Sequence, residues 1–285
     1  MRYNEFEELF SAKRMQKYVA ACNNDTRRAM TLYRYNLKLS QELFTIISCF
    51  EVVLRNRIDK QMVALRGNDW LRDAILPSGA LYYDRRVENT RKIIEKAYNG
   101  LMREGNYSHS KLLSEMEFGV WKYMFSNAAY ALMGQRLLRI FPNKPRSSRQ
   151  HRYDNTYIFQ ELDYINKLRN RIAHHEPICF ARPNAVIDTS YVLNQYARMM
   201  RLFSWMGVDG PSLVYGLDHV ANLTNLADGV GMDVQERSDV LQVEVCSDTW
   251  ATLHQQVVAF AGCGTVEIEI ARMELAEDML GNNGA

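Results

Sequence analysis

Neither glycine nor proline occurs between residues 4 and 65. Turns built on those residues are therefore absent from almost a quarter of the chain, and continuous helix is the expectation there. No apolar run is long enough to span a bilayer, since the longest, residues 43–54, is interrupted by Glu51 and several hydroxyl or thiol groups. No membrane association is expected. The opening MRYNEFEELFSAKR lacks the apolar stretch and small-residue cleavage site of a secretory signal, so a cytoplasmic location is expected. The five cysteines, Cys22, Cys49, Cys179, Cys246 and Cys263, include no C-x-x-C pair, which suits reduced thiols used as filler. No His/Cys/Asp/Glu spacing reads as a metal site, and no cofactor is expected. His109, His151, His219 and His254 lie apart in sequence and read as surface or cap residues. A Gly-rich phosphate loop and a G-x-S-x-G elbow are also missing, which leaves nucleotide hydrolysis and serine-type acyl transfer without support.

Charge of one sign is scarce in two places. Residues 208–285 hold 13 acidic side chains against two basic ones, Arg237 and Arg272, whereas residues 1–207 carry a net +13. Conversely, Arg136, Arg139, Lys144, Arg146, Arg149 and Arg152 succeed one another with no acidic residue before Asp154. With 47% hydrophobic side chains, the 285 residues can bury one or two ordinary cores.

Apolar residues recur at helical spacing through Leu39, Leu43, Ile46, Ile47, Phe50, Val53, Leu54 and Ile58, which predicts two long helices divided near Asn23, Asn24 and Asp25. A loop is expected over residues 67–84, helix over 84–103, a break at 105–108, and one or two helices over 111–140 with Gly119 and Gly134 as kinks or packing points. A helix over residues 155–175 should end just after His174 and His175, because Pro177 biases Glu176 away from helical backbone. Another is expected from Pro183 to about Met206, and one more over 212–228. Alternation over 240–245 and 265–270 then suggests two short strands, with helix over 271–280. The expected fold is mainly α, with residues 1–228 as a helical domain and 229–285 as a small acidic α+β appendage. Trp70, Trp121 and Trp205 read as core.

The densest chemistry lies in the run RNRIAHHEP, residues 169–177. On a helical wheel Ile158, Leu162, Ile165, Ile172 and Ala173 share one arc, and Arg169 falls inside it, where a guanidinium is expensive unless it meets a partner or an open groove. Asn170 and His174, four apart, share a polar face, and Arg171 and His175 the next. An arginine with a nearby histidine can break a phosphodiester without a metal, because the reaction needs a proton acceptor, a proton donor and a cation on the phosphate. Arg169 and His174 are five apart, roughly 140° around the helix, so they converge only through a distortion, a long reach or a second surface.

This run resembles the Arg-x4-6-His signature of the HEPN superfamily, in which a polar residue comes after the arginine. The segments LYRYNLKLSQELFTIISCFEVVLRNRI, EMEFGVWKYMF and RNRIAHHEPI together resemble its Abi-like (abortive infection) branch. The resemblance implies an HEPN-like helical bundle, often a homodimer with the motif at the subunit junction. It also implies metal-independent RNA cleavage in phage defence or a toxin–antitoxin system, with an antitoxin or other defence protein as partner. Carried over, Arg169 is the motif arginine, Asn170 its polar neighbour and His174 the motif histidine; His175 also satisfies the spacing. Some members of the superfamily bind without cutting.

The pentapeptide LRNRI occurs twice, at residues 54–58 and 168–172. The first copy either packs beside the motif helix, with Glu51, Arg55 and Asn56 lining a cleft, or simply pairs Glu51 with Arg55 along one helix face. Arg146, Arg149 and Arg152, with Arg171, are candidate contacts to an RNA backbone. The acidic C-terminal part reads as a solvated addition, a subunit contact or a cover competing with RNA for the basic surface.

Overall fold

The computed structural model describes residues 1–181 and 185–213. Within them the fold is mainly α. Helices α1 (Tyr3–Phe10) and α2 (Ala12–Ala21) lead into α3 (Thr26–Arg66), whose 41 residues extend for about 60 Å. Asp25 starts α3 by accepting the backbone N–H groups of Arg27 and Arg28, each at 3.0 Å, and Gly67 stops it at a φ of 91°. The break expected near Asn23 is present, with Asn23 and Asn24 both at positive φ. A second break at Ser11, φ 71°, divides what was expected to be one helix before it.

Helix α4 (Trp70–Asp73) lies within the expected loop, and a 3-10 turn at Arg85–Val87 leads into α5 (Glu88–Arg103). The stretch expected to form one or two helices over 111–140 instead forms α6 (His109–Ser114), α7 (Phe118–Tyr123), α8 (Asn127–Leu132) and a 3-10 turn at Leu137–Ile140. Ser108 and Ser126 supply the N-caps that start α6 and α8, α7 begins without a side-chain cap, and Gly134 at φ 95° ends α8. Gly119 is not a close-packing point, since a Cβ there would meet nothing within 4 Å.

Asp154 caps α9 (Asn155–Ala173) through the N–H of Tyr157 at 3.0 Å. After it comes a short antiparallel pair, β1 (Phe180–Ala181) and β2 (Val186–Ile187), in which Phe180 faces Ile187. Val186–Ile187 is strand where helix was expected, and α10 (Ser190–Trp205) begins later. The short α11 (Gly210–Leu213) ends the described chain. The rest of the helix expected over 212–228, the strands, the last helix, the boundary at 228 and Cys246, Cys263, His219, His254 and Trp250 lie outside the described residues.

The core is organised around α3, which packs against α1, α2, α7, α9 and α10. Its stripe Leu32, Leu39, Leu43, Ile46, Phe50, Leu54, Ile58 and Met62 is completely buried, each side chain contributing about 1.5–3 kcal/mol relative to exposure. Trp70, Trp121 and Trp205 are buried as expected. Phe6, Phe10, Tyr18 and Tyr33 form an aromatic cluster, with ring centroids 4.7–5.5 Å apart, that ties α1 and α2 to α3. Phe180 joins that cluster through Tyr18 at 5.1 Å. The segment after α9 is thereby held against the start of the chain. No described helix is long and apolar enough to cross a membrane.

Candidate functional site

The C-terminus of α9 builds the site. The N–H of Glu176 bonds to the carbonyl of Arg171 at 2.8 Å, and that of His175 to the carbonyl of Ile172 at 2.9 Å. These paired bonds are the Schellman closure of a helix, and they require left-handed backbone at the residue usually occupied by glycine. Here that residue is His175, at φ 54°. His174 is the C-cap, and both imidazoles are exposed where the chain reverses. The helix therefore ends at Ala173, two residues before the expected end, and both histidines lie just beyond it.

Three contacts fix the reversed segment. The guanidinium of Arg14 donates to the His175 carbonyl at 2.6 Å and also bonds to Tyr33. Buried Asn36 of α3 accepts from the N–H of Ile178 at 2.8 Å and of Cys179 at 3.3 Å. Arg171 folds back from α9, donating to the Pro177 carbonyl and placing its guanidinium 4.9 Å from the centroid of Tyr191. Its Nε lies 3.8 Å from Glu176, too far for a hydrogen bond, and is buried without a partner.

These elements enclose an open cavity of about 360 Å3. Lys13, Arg14 and Lys17 of α2 form one wall; Arg171, His174, His175 and Glu176 form the other. Four basic side chains thus share the lining with one carboxylate. Such a lining favours an anion, and two imidazoles stand at its rim. Lys13 and Lys17 are exposed and make no ion pair among the described residues.

Arg169 and Asn170 are not part of this lining. The buried stripe of α9 runs Ile158, Glu161, Leu162, Ile165, Leu168 and Arg171, so the guanidinium on the core side is that of Arg171, two positions after the expected one. Ile172 is only half-buried and Ala173 is exposed, which shifts the stripe away from the arc inferred from the wheel. Arg169 is half-buried, and the carboxylate on which its charge acts is Glu51 of α3. Burial pushes the Glu51 carboxyl above the usual carboxylate range; the positive charges of Arg169 and then Arg55 pull it partly back, while Glu117 adds to the rise. Glu51, Arg55 and Arg169 therefore share one electrostatic neighbourhood, while Asn56 is exposed and accepts from Arg55 at 3.4 Å.

Arg146, Arg149 and Arg152 are exposed on the basic loop, without an ion pair among the described residues. Burial pushes the thiols of Cys22 and Cys179 up to about 11 and about 12, so both stay protonated. His109 is not a surface residue: its Nε2 lies 2.7 Å from Asp59, which also accepts from the Trp70 indole at 2.7 Å, pinning α4 and α6 to α3. Among the described residues no cluster of three or more His, Cys, Asp or Glu side chains is arranged to hold a metal ion.

A family model of Abi-like proteins matches residues 1–179. The chain belongs to the Abi-like family. That membership points to abortive infection, a form of phage defence. Neither the curated proteins nor the solved structures contain a match. The Abi-like region includes both cavity walls and ends at Cys179, the last residue held by Asn36.

Arg14, Lys13, Lys17 and Asn36 were missed by sequence reasoning. For Asn36 a signal existed, because it interrupts the apolar stripe between Leu32 and Leu39, where a polar side chain needs a buried partner. For Arg14 and the lysines there was none; only the folding back of α2 beside α9 brings them to the histidines.

Proposed function

We propose that this Abi-like chain is an endoribonuclease whose reaction takes place in the cavity at the end of α9. The single observation that carries the reading is the convergence of two adjacent imidazoles with four cationic side chains in one cavity. One imidazole takes the ribose 2′-hydroxyl proton as the 2′-oxygen bonds to phosphorus. The P–O5′ bond breaks, and the other imidazolium gives its proton to the departing 5′-oxygen. Products are a 2′,3′-cyclic phosphate and a 5′-hydroxyl. Lys13, Arg14 and Lys17 hold the phosphate oxygens, and Arg171 adds a fixed positive charge behind them. No metal ion is needed in this scheme.

The HEPN resemblance adds Arg169 and Asn170. Asn170 is exposed one turn before His174 and is proposed to orient the imidazole or the ribose. Arg169 is directed toward the Glu51 neighbourhood, so its proposed action on phosphate calls for a second copy completing the site, and a homodimer belongs to the same proposal. An antitoxin or other defence-system partner would restrain such an activity in the cell.

The test is to incubate the full chain with labelled RNA and excess chelator, alongside Arg169→Ala, His174→Ala and His175→Ala. Cleavage that survives chelation and falls by about 100-fold or more in the histidine variants, while RNA binding persists, supports the reading. A requirement for a divalent ion, or cleavage indifferent to both histidines, sinks it. Binding without cleavage in the parent chain would instead identify a non-catalytic RNA-gripping module.

A further inference from the structure

Helices α9 and α10 run antiparallel, and their shared edge carries aromatic rings and cations in alternation. At the end next to the basic loop, Tyr153 packs on Tyr157 at 5.1 Å and on Trp205 at 5.5 Å, with the Arg201 guanidinium 5.7 Å from the Trp205 ring. Midway, Arg198 lies 4.3 Å from the centroid of Tyr164, and Lys167 approaches the same ring at 5.9 Å. At the far end the pair of Arg171 and Tyr191 adjoins the cavity. Buried Glu161 binds both Arg198 and Arg201, so these guanidinium groups are fixed in place. Tyr164 is nevertheless 47% exposed and the Lys167 side chain 65%. Tyr157 and Arg171 are about 21 Å apart along α9, enough for several nucleotides.

We infer that this edge is a track for single-stranded RNA, leading from the basic loop to the cavity. Arg198 steadies the Tyr164 ring, and the exposed part of that ring offers a stacking platform for a base. The cations on either side track the backbone phosphates. A single strand fits better than a duplex, because only unpaired bases present a face to a ring. An acidic peptide would match the charge but leave the rings unused. The inference rests on the RNA-cleavage reading only for the identity of the occupant at the cavity end.

The experiment uses the full chain silenced by His174→Ala and His175→Ala, with folding checked by thermal melting and binding measured with fluorescein-labelled 12-nucleotide oligouridine. Tyr164→Ala is expected to weaken binding about tenfold and Tyr164→Phe to leave it unchanged. A 12-base-pair RNA duplex should bind equally to all three. Equal oligouridine binding by Tyr164→Ala and Tyr164→Phe overturns the track, as does a poly-glutamate peptide that competes as well as RNA. If the unsilenced chain proves unable to cleave while the Tyr164 dependence holds, the nuclease reading falls and the track stands. Cleavage together with binding indifferent to Tyr164 removes the track alone.

Discussion

The two copies of LRNRI start alike and diverge within five residues. In both, the leucine is buried and the asparagine exposed. Both first arginines, Arg55 and Arg169, bring their charge to the same carboxylate, Glu51. The second arginine and the isoleucine then exchange roles: Ile58 is buried with Arg57 half-buried, whereas Arg171 is buried with Ile172 half-buried. The residues just beyond each copy account for the exchange. The first copy lies inside α3, which continues for two more turns, and its next residue, Asp59, anchors His109 and Trp70. The second lies in the last turn of α9, and the reversal after it brings the Pro177 carbonyl, Glu176 and Tyr191 around Arg171. A short motif therefore acquires its chemistry from how its helix ends.

The largest effect should come from exchanging the second arginines for an uncharged side chain of similar length. Arg171→Met removes a buried donor to the Pro177 carbonyl and a charge beside Glu176, at an expected cost of about 2 kcal/mol in chemical denaturation. Arg57→Met should stay within about 0.5 kcal/mol of the parent, since no such reversal surrounds it. Equal effects would mean that the difference between the copies is confined to geometry and carries no energy.

Much of α3 and α9 was legible because helical periodicity, Asp25, Asp154 and Pro177 are local signals that tertiary packing left in force. The breaks over 109–140 were not, because the short helices, two of them started by serine caps, keep a helical apolar pattern through each interruption. At the candidate site the histidines were readable, and the helix end to within two residues. The wheel chose the wrong arginine for the core side, since it treats the helix as isolated. Arg171 is buried because Pro177 and Tyr191 come back over it, at separations of six and twenty residues that no helical period encodes. The opposite wall, from α2, lies more than 150 residues away in sequence.

A smaller effect should separate the reversal from the imidazole that sits on it. The first copy continues as helix through Asp59 and Lys60, whereas the second ends on a left-handed His175. His175→Gly should relieve that backbone and stabilise the fold by about 1 kcal/mol, read as a raised denaturation midpoint. The bond from Arg14 survives, because it goes to the carbonyl. If cleavage persists at the parental rate in this more stable variant, His174 is the histidine that acts, and the two-imidazole scheme fails in that form.

The smallest effect concerns the point where the two copies meet. Burial raises the Glu51 carboxyl above its ordinary range. A group whose folded value is raised favours the fold below its unfolded value, and that advantage is lost as the pH climbs through the folded one. Glu51→Gln should therefore be more stable than the parent at neutral pH, with the gain vanishing in acid, where the parent carboxyl is protonated. Arg169→Gln should have the opposite sign at neutral pH, because it removes the first of the two charges that compensate Glu51. In a double-mutant cycle the pair should show a coupling of about 0.5 kcal/mol, kept small by the solvent that reaches both side chains. The same four proteins divide the two roles open to Arg169. Cleavage lost in Arg169→Gln and restored by adding Glu51→Gln makes it a partner of Glu51 that positions α9 against α3. Cleavage lost in both, with stability restored only in the double variant, assigns its guanidinium to the phosphate.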